Sequence, residues 1–340
     1  MFHVAIVGAG GMAGQHARSY SELPNARVTG VMDIRKDAAE ALAAQHDARA
    51  FTDFGEMLAA VPHDIVDVCV PTPWHAEYVI QAAQAKPLGI VVEKPMGRTV
   101  EDCKRIIAAC KEAGVPLFPA HVLRFFPEFA TARDKITAGA IGRPATVRTR
   151  RGGPFPRAWN NWYGKIDWSG GLIMDLTIHD FDWVRWTFGE VDRVYAKGLA
   201  AALPPGSEVH RDYALITLRF ESGVMAHVEG TWADPGGFKV TFEVAGDEGL
   251  LEYNFNQPAP VPFELVRAQT EGGGPGVPVP ESPVAISPYT LELQNFLESL
   301  ESGKRPLVAP EDGLEAVRIA EAALTSARTG RPVRIGHGDV

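Results

Sequence analysis

Three groups of residues in this chain have the types and spacing that chemistry needs. The first is Lys94, within Val92-Glu93-Lys94-Pro95. The run Gly89-Ile90-Val91-Val92 before it is short, apolar and β-branched, which predicts a buried parallel strand. Pro95 cannot donate to a sheet ladder, so the strand should stop there and leave Lys94 at its carboxyl end. Ligands of open α/β sheets bind outside those ends, where an ammonium can hold a negative oxygen. The second group is Asp175 with His179. Four residues apart, they should share one helix face, with Asp182 three further along. A carboxylate one turn from an imidazole fixes its tautomer and favours the imidazolium, which suits a general base.

The third group is Gly8-Ala9-Gly10-Gly11-Met12-Ala13, followed twenty residues after Ala13 by Asp33. It fits G-x-G-x-x-A between a strand and a helix, the context of a dinucleotide turn. Gly8 would allow the tight turn, Gly10 the close approach of a pyrophosphate, and Ala13 the helix-to-strand packing. Gly11 and Met12 would open the helix, whose free N–H groups and dipole favour phosphate. Asp33 should end the second strand and accept hydrogen bonds from ribose hydroxyls. It also repels a 2′-phosphate, so NAD is expected over NADP, a preference that Arg35 and Lys36 temper. Two further features stay open in role. The loop Trp159-Asn160-Asn161-Trp162-Tyr163-Gly164-Lys165, with Trp168 beyond, suits a polyhydroxylated ligand or an interface. Arg124 would reach the crevice or form a salt bridge. No metal is expected, because no third His or Cys stands at suitable spacing near Asp175 and His179.

The elements that must position these groups follow from the periodicity. Residues 1 to about 120 alternate strand and helix: strands at 3–7, 27–32, 64–70, 88–92 and 117–120, helices at 12–23, 37–45, 76–85 and 100–113. Regular alternation predicts a doubly wound, Rossmann-type parallel sheet covered on both faces, domain 1–120. After residue 121 the pattern changes. Helices are expected at 127–138, 170–188, 289–300 and 311–328, and strands at 145–150, 193–199, 213–220, 224–232, 239–245 and 250–253. Segment 271–288 is rich in Gly and Pro and reads as a loop. Domain 121–340 is therefore α+β, with a large, mostly antiparallel sheet.

Composition narrows the partners. The 340 residues carry 33 basic and 42 acidic side chains, a formal charge of -9, which argues against nucleic acid. With 46% hydrophobic and 22% charged residues the chain is of ordinary globular type. No apolar run approaches the ~20 residues that span a membrane. The N-terminus enters a strand at once, so no signal peptide is expected. The three cysteines, Cys69, Cys103 and Cys110, have no zinc-ligand spacing and form no disulfide framework. Reduced thiols in a cytoplasmic protein are the expectation.

Taken together, Gly8 to Ala13, Pro71-Thr72-Pro73-Trp74-His75-Ala76-Glu77, Glu93-Lys94-Pro95 and Asp175-x-x-x-His179 resemble the Gfo/Idh/MocA oxidoreductases over nearly the whole chain. The stretch Asp175 to Asp182 is most similar to the inositol dehydrogenase branch, while His121 to Pro127 departs from that branch's more basic pattern. The resemblance implies that Lys94, Asp175 and His179 form the catalytic group in an inter-domain cleft. It implies that Pro71, Thr72, Pro73, His75, Glu93 and Lys94 join the glycine turn and Asp33 around NAD. It implies a cis peptide between Lys94 and Pro95. Substrate contacts would come from Lys94, Asp175 and His179, with Arg124 and Trp162 as further candidates. The expected activity is NAD-dependent oxidation of a secondary hydroxyl on a cyclic polyol or sugar. The rivals are an NADP-linked sugar or imine reductase, and a non-catalytic NAD(P)-sensing regulator. Whether His179 or Lys94 moves the proton is open. The larger sheet would join copies into a homodimer or homotetramer.

Overall fold

Continuous β-branched runs can only be strands that are covered on both faces, and the first third of the chain supplies them in series. A computed structural model describes residues 1–254 and 286–336. In chain order the first elements are β1 (Phe2–Val7), α1 (Gly11–Glu22), β2 (Ala26–Met32), α2 (Lys36–Gln45), β3 (Arg49–Phe51), α3 (Phe54–Ala60), β4 (Ile65–Val68), α4 (His75–Ala85), β5 (Gly89–Glu93), α5 (Val100–Ala113) and β6 (Leu117–Ala120). The six strands pair in parallel in the order β3-β2-β1-β4-β5-β6. The order in which strands are added reverses between β1 and β4, so the crevice of this sheet opens at their carboxyl ends. Every residue of β4 and of β5 is buried.

The sequence reading passed over β3 and α3. β3 is three residues long with two of them exposed, so it carries no apolar run. α3 did leave a signal: Asp53 accepts a hydrogen bond from the Glu56 N–H, the Asp-x-x-Glu signature of a helix start.

The remaining elements are α6 (Pro127–Thr137), β7 (Pro144–Gly152), α7 (Ile166–Ser169), α8 (Gly171–Asp175), α9 (Ile178–Phe188), β8 (Val191–Leu199), β9 (Tyr213–Phe220), β10 (Met225–Thr231), β11 (Lys239–Gly246), β12 (Leu250–Asn254), α10 (Pro288–Ser302), α11 (Pro310–Thr329) and β13 (Val333–Arg334). The second sheet runs β12-β11-β7-β10-β9-β8-β13. It is antiparallel except for β7 against β10. Its strands alternate: Val147, Ala226, Val228, Ile216 and Leu218 are fully buried, and their neighbours face outward. Of the Gly- and Pro-rich segment 271–288, residues 271–285 lie outside the described ones.

The compact units do not follow chain order. One is Met1–Phe126 with Glu281–Val317, the other Pro127–Pro280 with Arg318–Val340. α10, which the sequence reading placed with the second half, belongs to the first. Its Leu293, Phe296 and Leu297 join the core of β1, β5 and β6, where Phe296 stacks on Phe118 with centroids 5.0 Å apart. An apolar stripe shows that a helix packs but not against which sheet.

Candidate active site

In the first unit the candidate residues gather at the carboxyl ends of β1, β2, β4 and β5. Gly8 follows β1 with φ +106, and a Cβ there would lie 2.6 Å from the Cys69 carbonyl oxygen. Both facts demand glycine. Gly10 sits at the cap of α1, and a Cβ built on it meets nothing within 4 Å, so open space lies before the helix. No side chain caps that N-terminus, which leaves its first N–H groups to a ligand. Gly11 is exposed, Met12 is half-buried and Ala13 is fully buried against the sheet.

Asp33 ends β2 and ties it to the glycine turn. Its Oδ2 accepts from the Ala9 N–H at 2.8 Å, and its Oδ1 from the Arg35 N–H at 2.8 Å. The Arg35 guanidinium adds a fork, Nε to Oδ1 and Nη2 to Oδ2, both at 3.0 Å. The carboxylate thus stands beside the glycine turn with a cation attached, where it would meet the ribose of a bound dinucleotide. Open space at Gly10, an uncapped helix start and an acid beside the turn together fit NAD.

After β4, Pro71 leads into a single tight turn, Thr72–Trp74, with Thr72 buried and Pro73 within it. His75 then opens α4 and is buried. Its Nδ1 lies 2.8 Å from the Pro95 carbonyl and its Nε2 2.8 Å from the Val70 carbonyl. Burial outweighs those two carbonyls and the charge of Glu93, so its pKa sits below the usual histidine value. His75 is therefore a clamp between the ends of β4 and β5. The expected cis peptide is present at Lys94–Pro95. Lys94 is half-buried just past β5. Glu93 faces inward: its Oε2 accepts the Lys94 N–H at 2.8 Å and its Oε1 lies 3.1 Å from His16 Nε2. With both oxygens engaged inside the unit, the Glu93 carboxylate supports the site from behind.

Arg124 takes the structural one of its two open roles. It is 2% exposed and its Nη1 donates to the Leu307 carbonyl at 2.9 Å and to Asp312 Oδ2 at 3.1 Å. These bonds hold the turn Val122–Phe125 to the segment between α10 and α11.

In the second unit the expected single helix 170–188 is two. α8 ends at Asp175, Leu176 and Thr177 break the run, and His179 lies in the first turn of α9. The simple helix-face argument for Asp175, His179 and Asp182 does not hold across that break. The cause is tight packing on β10. A Cβ on Gly230 would lie 2.3 Å from the Thr177 methyl and 2.9 Å from Leu172. Thr177, fully buried, turns its hydroxyl to the Ile173 carbonyl at 2.8 Å. Asp175 is buried and shares a small concavity with Pro154, Pro156, Trp232 and Phe238. His179 is half-buried.

Aromatic rings extend that wall. Trp232 meets Phe155 edge-on at 5.1 Å and Tyr163 at 6.2 Å, and Trp162 stacks on Tyr163 at 3.9 Å. Sequence reasoning chose Trp162 and missed Trp232, Phe155 and Phe238. Trp232 carried a weak signal, an aromatic as the last residue of a predicted strand. It also missed the buried pair Arg151–Asp180, with Nε 2.7 Å from Oδ2, beside His179.

Comparison with known proteins fits this geometry. Residues 2–121 match the oxidoreductase family's NAD-binding Rossmann fold, and residues 133–335 its C-terminal alpha/beta domain. The chain belongs to the Gfo/Idh/MocA oxidoreductase family. It is 31% identical to the uncharacterized oxidoreductase YrbE of Bacillus subtilis, over 98% of this chain and 96% of that one. It is 30% identical to the scyllo-inositol 2-dehydrogenase (NAD(+)) of the same organism, over 97% and 95%. The crystal structure of GenD2 from gentamicin A biosynthesis, in complex with NAD, superposes with a TM-score of 0.86 at 26% identity, over 98% of this chain and 96% of that chain. The family is one of NAD-dependent sugar and polyol dehydrogenases, and the chain is an NAD-linked oxidoreductase acting on CH–OH groups. Among the described residues, no helix is long and apolar enough to cross a membrane.

Proposed function

We propose that this oxidoreductase oxidises a secondary hydroxyl of a cyclic polyol or sugar of the inositol kind, with Lys94, Asp175 and His179 as its catalytic group. The observation that carries the reading is Lys94 itself. It is held at the carboxyl end of β5, in the sheet whose glycine turn and Asp33 fit NAD. When bound, NAD supplies the hydride acceptor. His179 takes the proton of the reacting hydroxyl, and Asp175 favours the imidazolium that results. The Lys94 ammonium holds the oxygen while negative charge develops on it. Asp175 in its concavity, with Trp232 and the Trp162–Tyr163 stack near it, offers the mixture of one acceptor and flat apolar faces that suits a polyhydroxylated ring.

A screen of inositols, aldoses and anhydrosugars for NADH formation tests this reading. Turnover of at least one cyclic polyol or sugar is expected. NAD binding without turnover of any of them would favour a sensor instead, and better use of NADP would favour the reductase reading. We further propose that copies of the chain pair through the outward face of the second sheet. Tyr195, Leu215, Met225 and Leu250 are exposed there on four different strands, interspersed with Arg148, Glu229 and Glu243. Light scattering on the purified protein should give a dimer or tetramer mass.

A further inference from the structure

The most enclosed set of ionisable groups in the first unit lies behind Lys94. His16, on α1, is fully buried. Its Nδ1 lies 2.8 Å from Asp67 Oδ2 on β4, and its Nε2 lies 3.1 Å from Glu93 Oε1 on β5. Two buried carboxylates therefore flank one imidazole. Burial pulls the His16 pKa down, but the charge and hydrogen bond of Asp67 together with the contacts of Cys69 outweigh it, and the ring stays protonated well above the ordinary histidine value. Burial likewise pushes Glu93 up, while the His16 imidazolium and the neighbouring Lys94 bring it below the ordinary carboxylate value. The cluster is closed by Cys69, whose Sγ donates to Asp67 Oδ1 at 3.3 Å, and by Tyr20 one turn along α1. Glu292 on α10 faces Tyr20.

His16, Asp67 and Cys69 bring potential metal-ligand atoms within 4.8 Å of one another. Their chemistry is that of a hydrogen-bonded cluster. Burial pushes the Cys69 thiol up, so it remains S–H and a donor, whereas a metal would need the thiolate.

We propose that His16 is a positioning residue for Lys94, acting through Glu93. This rests on the reading of Lys94 as catalytic. The chain of contacts is short and lies within one unit. Asp67 orients His16, His16 holds Glu93 Oε1, and Glu93 Oε2 holds the Lys94 N–H at 2.8 Å. Glu93 is the last residue of β5, so its side chain fixes the peptide on which the lysine leaves the strand. Without the imidazolium, a carboxylate in this enclosed place would take up a proton or swing toward water. In either case the Lys94 backbone would lose its acceptor, and the ammonium its fixed origin. His16 lies on the same helix whose N-terminus would hold the dinucleotide pyrophosphate. One rigid helix thereby sets both the cofactor end and the lysine of the site.

The test is a double-mutant cycle on the full-length enzyme, with the substrate that the screen identifies. His16→Gln should lower kcat by about 10–100-fold, as small misplacements of a reacting group do, and leave NADH affinity by fluorescence titration unchanged. Lys94→Ala should lower kcat further. Adding His16→Gln to Lys94→Ala should then change nothing, because the lysine through which His16 acts is gone. Losses that multiply, or a loss of NADH affinity matching that of kcat, would overturn the proposal. If His16→Gln does not fold, Glu93→Ala and Glu93→Gln carry the test. Alanine should lose kcat by the same order, and glutamine, which keeps an acceptor for the Lys94 N–H, should recover most of it. Equal activity in those two variants would overturn the proposal. Normal turnover in Lys94→Ala would fail the functional reading and this one together. Normal turnover in His16→Gln beside an impaired Lys94→Ala would fail this one alone.

Discussion

The two sheets of this molecule solve the same packing problem in opposite ways. In the parallel sheet, β4 and β5 are buried at every position, so neither of these strands opens a face to a ligand. The candidate residues there collect at strand ends: Gly8 after β1, Asp33 after β2, His75 beyond β4 and Lys94 after β5. In the mixed sheet one face is covered by α8 and α9, which approach β10 closely at Gly230, and the other carries exposed side chains. Its candidate residues, Asp175 and His179, therefore sit on the covering helices, at a break forced by that close packing. A parallel sheet displays function at its edge, and a two-faced sheet displays it on what lies against it.

Substitutions at the two sites should produce the largest effects. Lys94→Ala and His179→Asn should each lower kcat by ~10²–10⁴-fold while NADH still binds, the usual cost of losing an acid–base group. Near-normal turnover in both would mean that one sheet or the other lends only structure.

Stability should separate the two faces of the mixed sheet. Arg151 and Asp180 are a buried pair on the inner side, with side chains 4% and 0% exposed. Arg151→Met strands the Asp180 carboxylate, so urea denaturation should show a loss of about 3–5 kcal/mol. A loss below one would show that Asp180 finds another partner.

Cofactor choice sharpens the strand-end side of the comparison. Asp33→Ser should weaken NADH binding by roughly 10–100-fold, the worth of hydrogen bonds to a charged group. It should also improve NADPH binding, since it removes the repulsion and leaves Arg35 without its carboxylate fork. Equal or tighter NADPH binding by the unaltered protein would refute the role given to Asp33.

A smaller effect should appear in the pH dependence of stability. His16 has a raised folded pKa, so its contribution is complete below the unfolded value of ~6.5 and fades as pH climbs through the folded one. Glu93 has a lowered pKa, so its contribution is complete above ~4.3 and fades as pH falls through the folded value. Urea midpoints should be highest between those limits, and Glu93→Gln should flatten the acid flank while Asp67, which holds His16 charged, keeps the alkaline one. An unchanged acid flank in that variant would detach Glu93 from stability.

The least effect is expected on the outer face. Arg148 pairs there with Glu243, both at least partly exposed, and Arg148→Ala should cost no more than ~1 kcal/mol. A larger loss that depends on protein concentration would instead support the proposed contact between copies.

Much of this was legible in the chain because it depends on local rules. Alternating runs fixed the parallel sheet, and Gly8 to Ala13 with Asp33 marked the cofactor end. Glu93-Lys94-Pro95 marked the end of β5, since proline cannot donate to a sheet ladder. The mixed sheet was legible from period-two alternation at 213–220 and 224–232. What failed was long-range. The break at Leu176 and Thr177 follows from Gly230, more than fifty residues away and invisible to helical periodicity. Arg124 could be assigned only once Asp312 was seen beside it, and α10 only once Phe296 met Phe118. The grouping of His16, Asp67 and Glu93 leaves no trace in spacing, because three separate elements supply its members. Backbone propensity and apolar pattern act between near neighbours, so sequence alone determined the elements and which residues stand at the strand ends. Desolvation and close packing act between residues brought together only by folding, so tertiary structure decided which polar groups are partners.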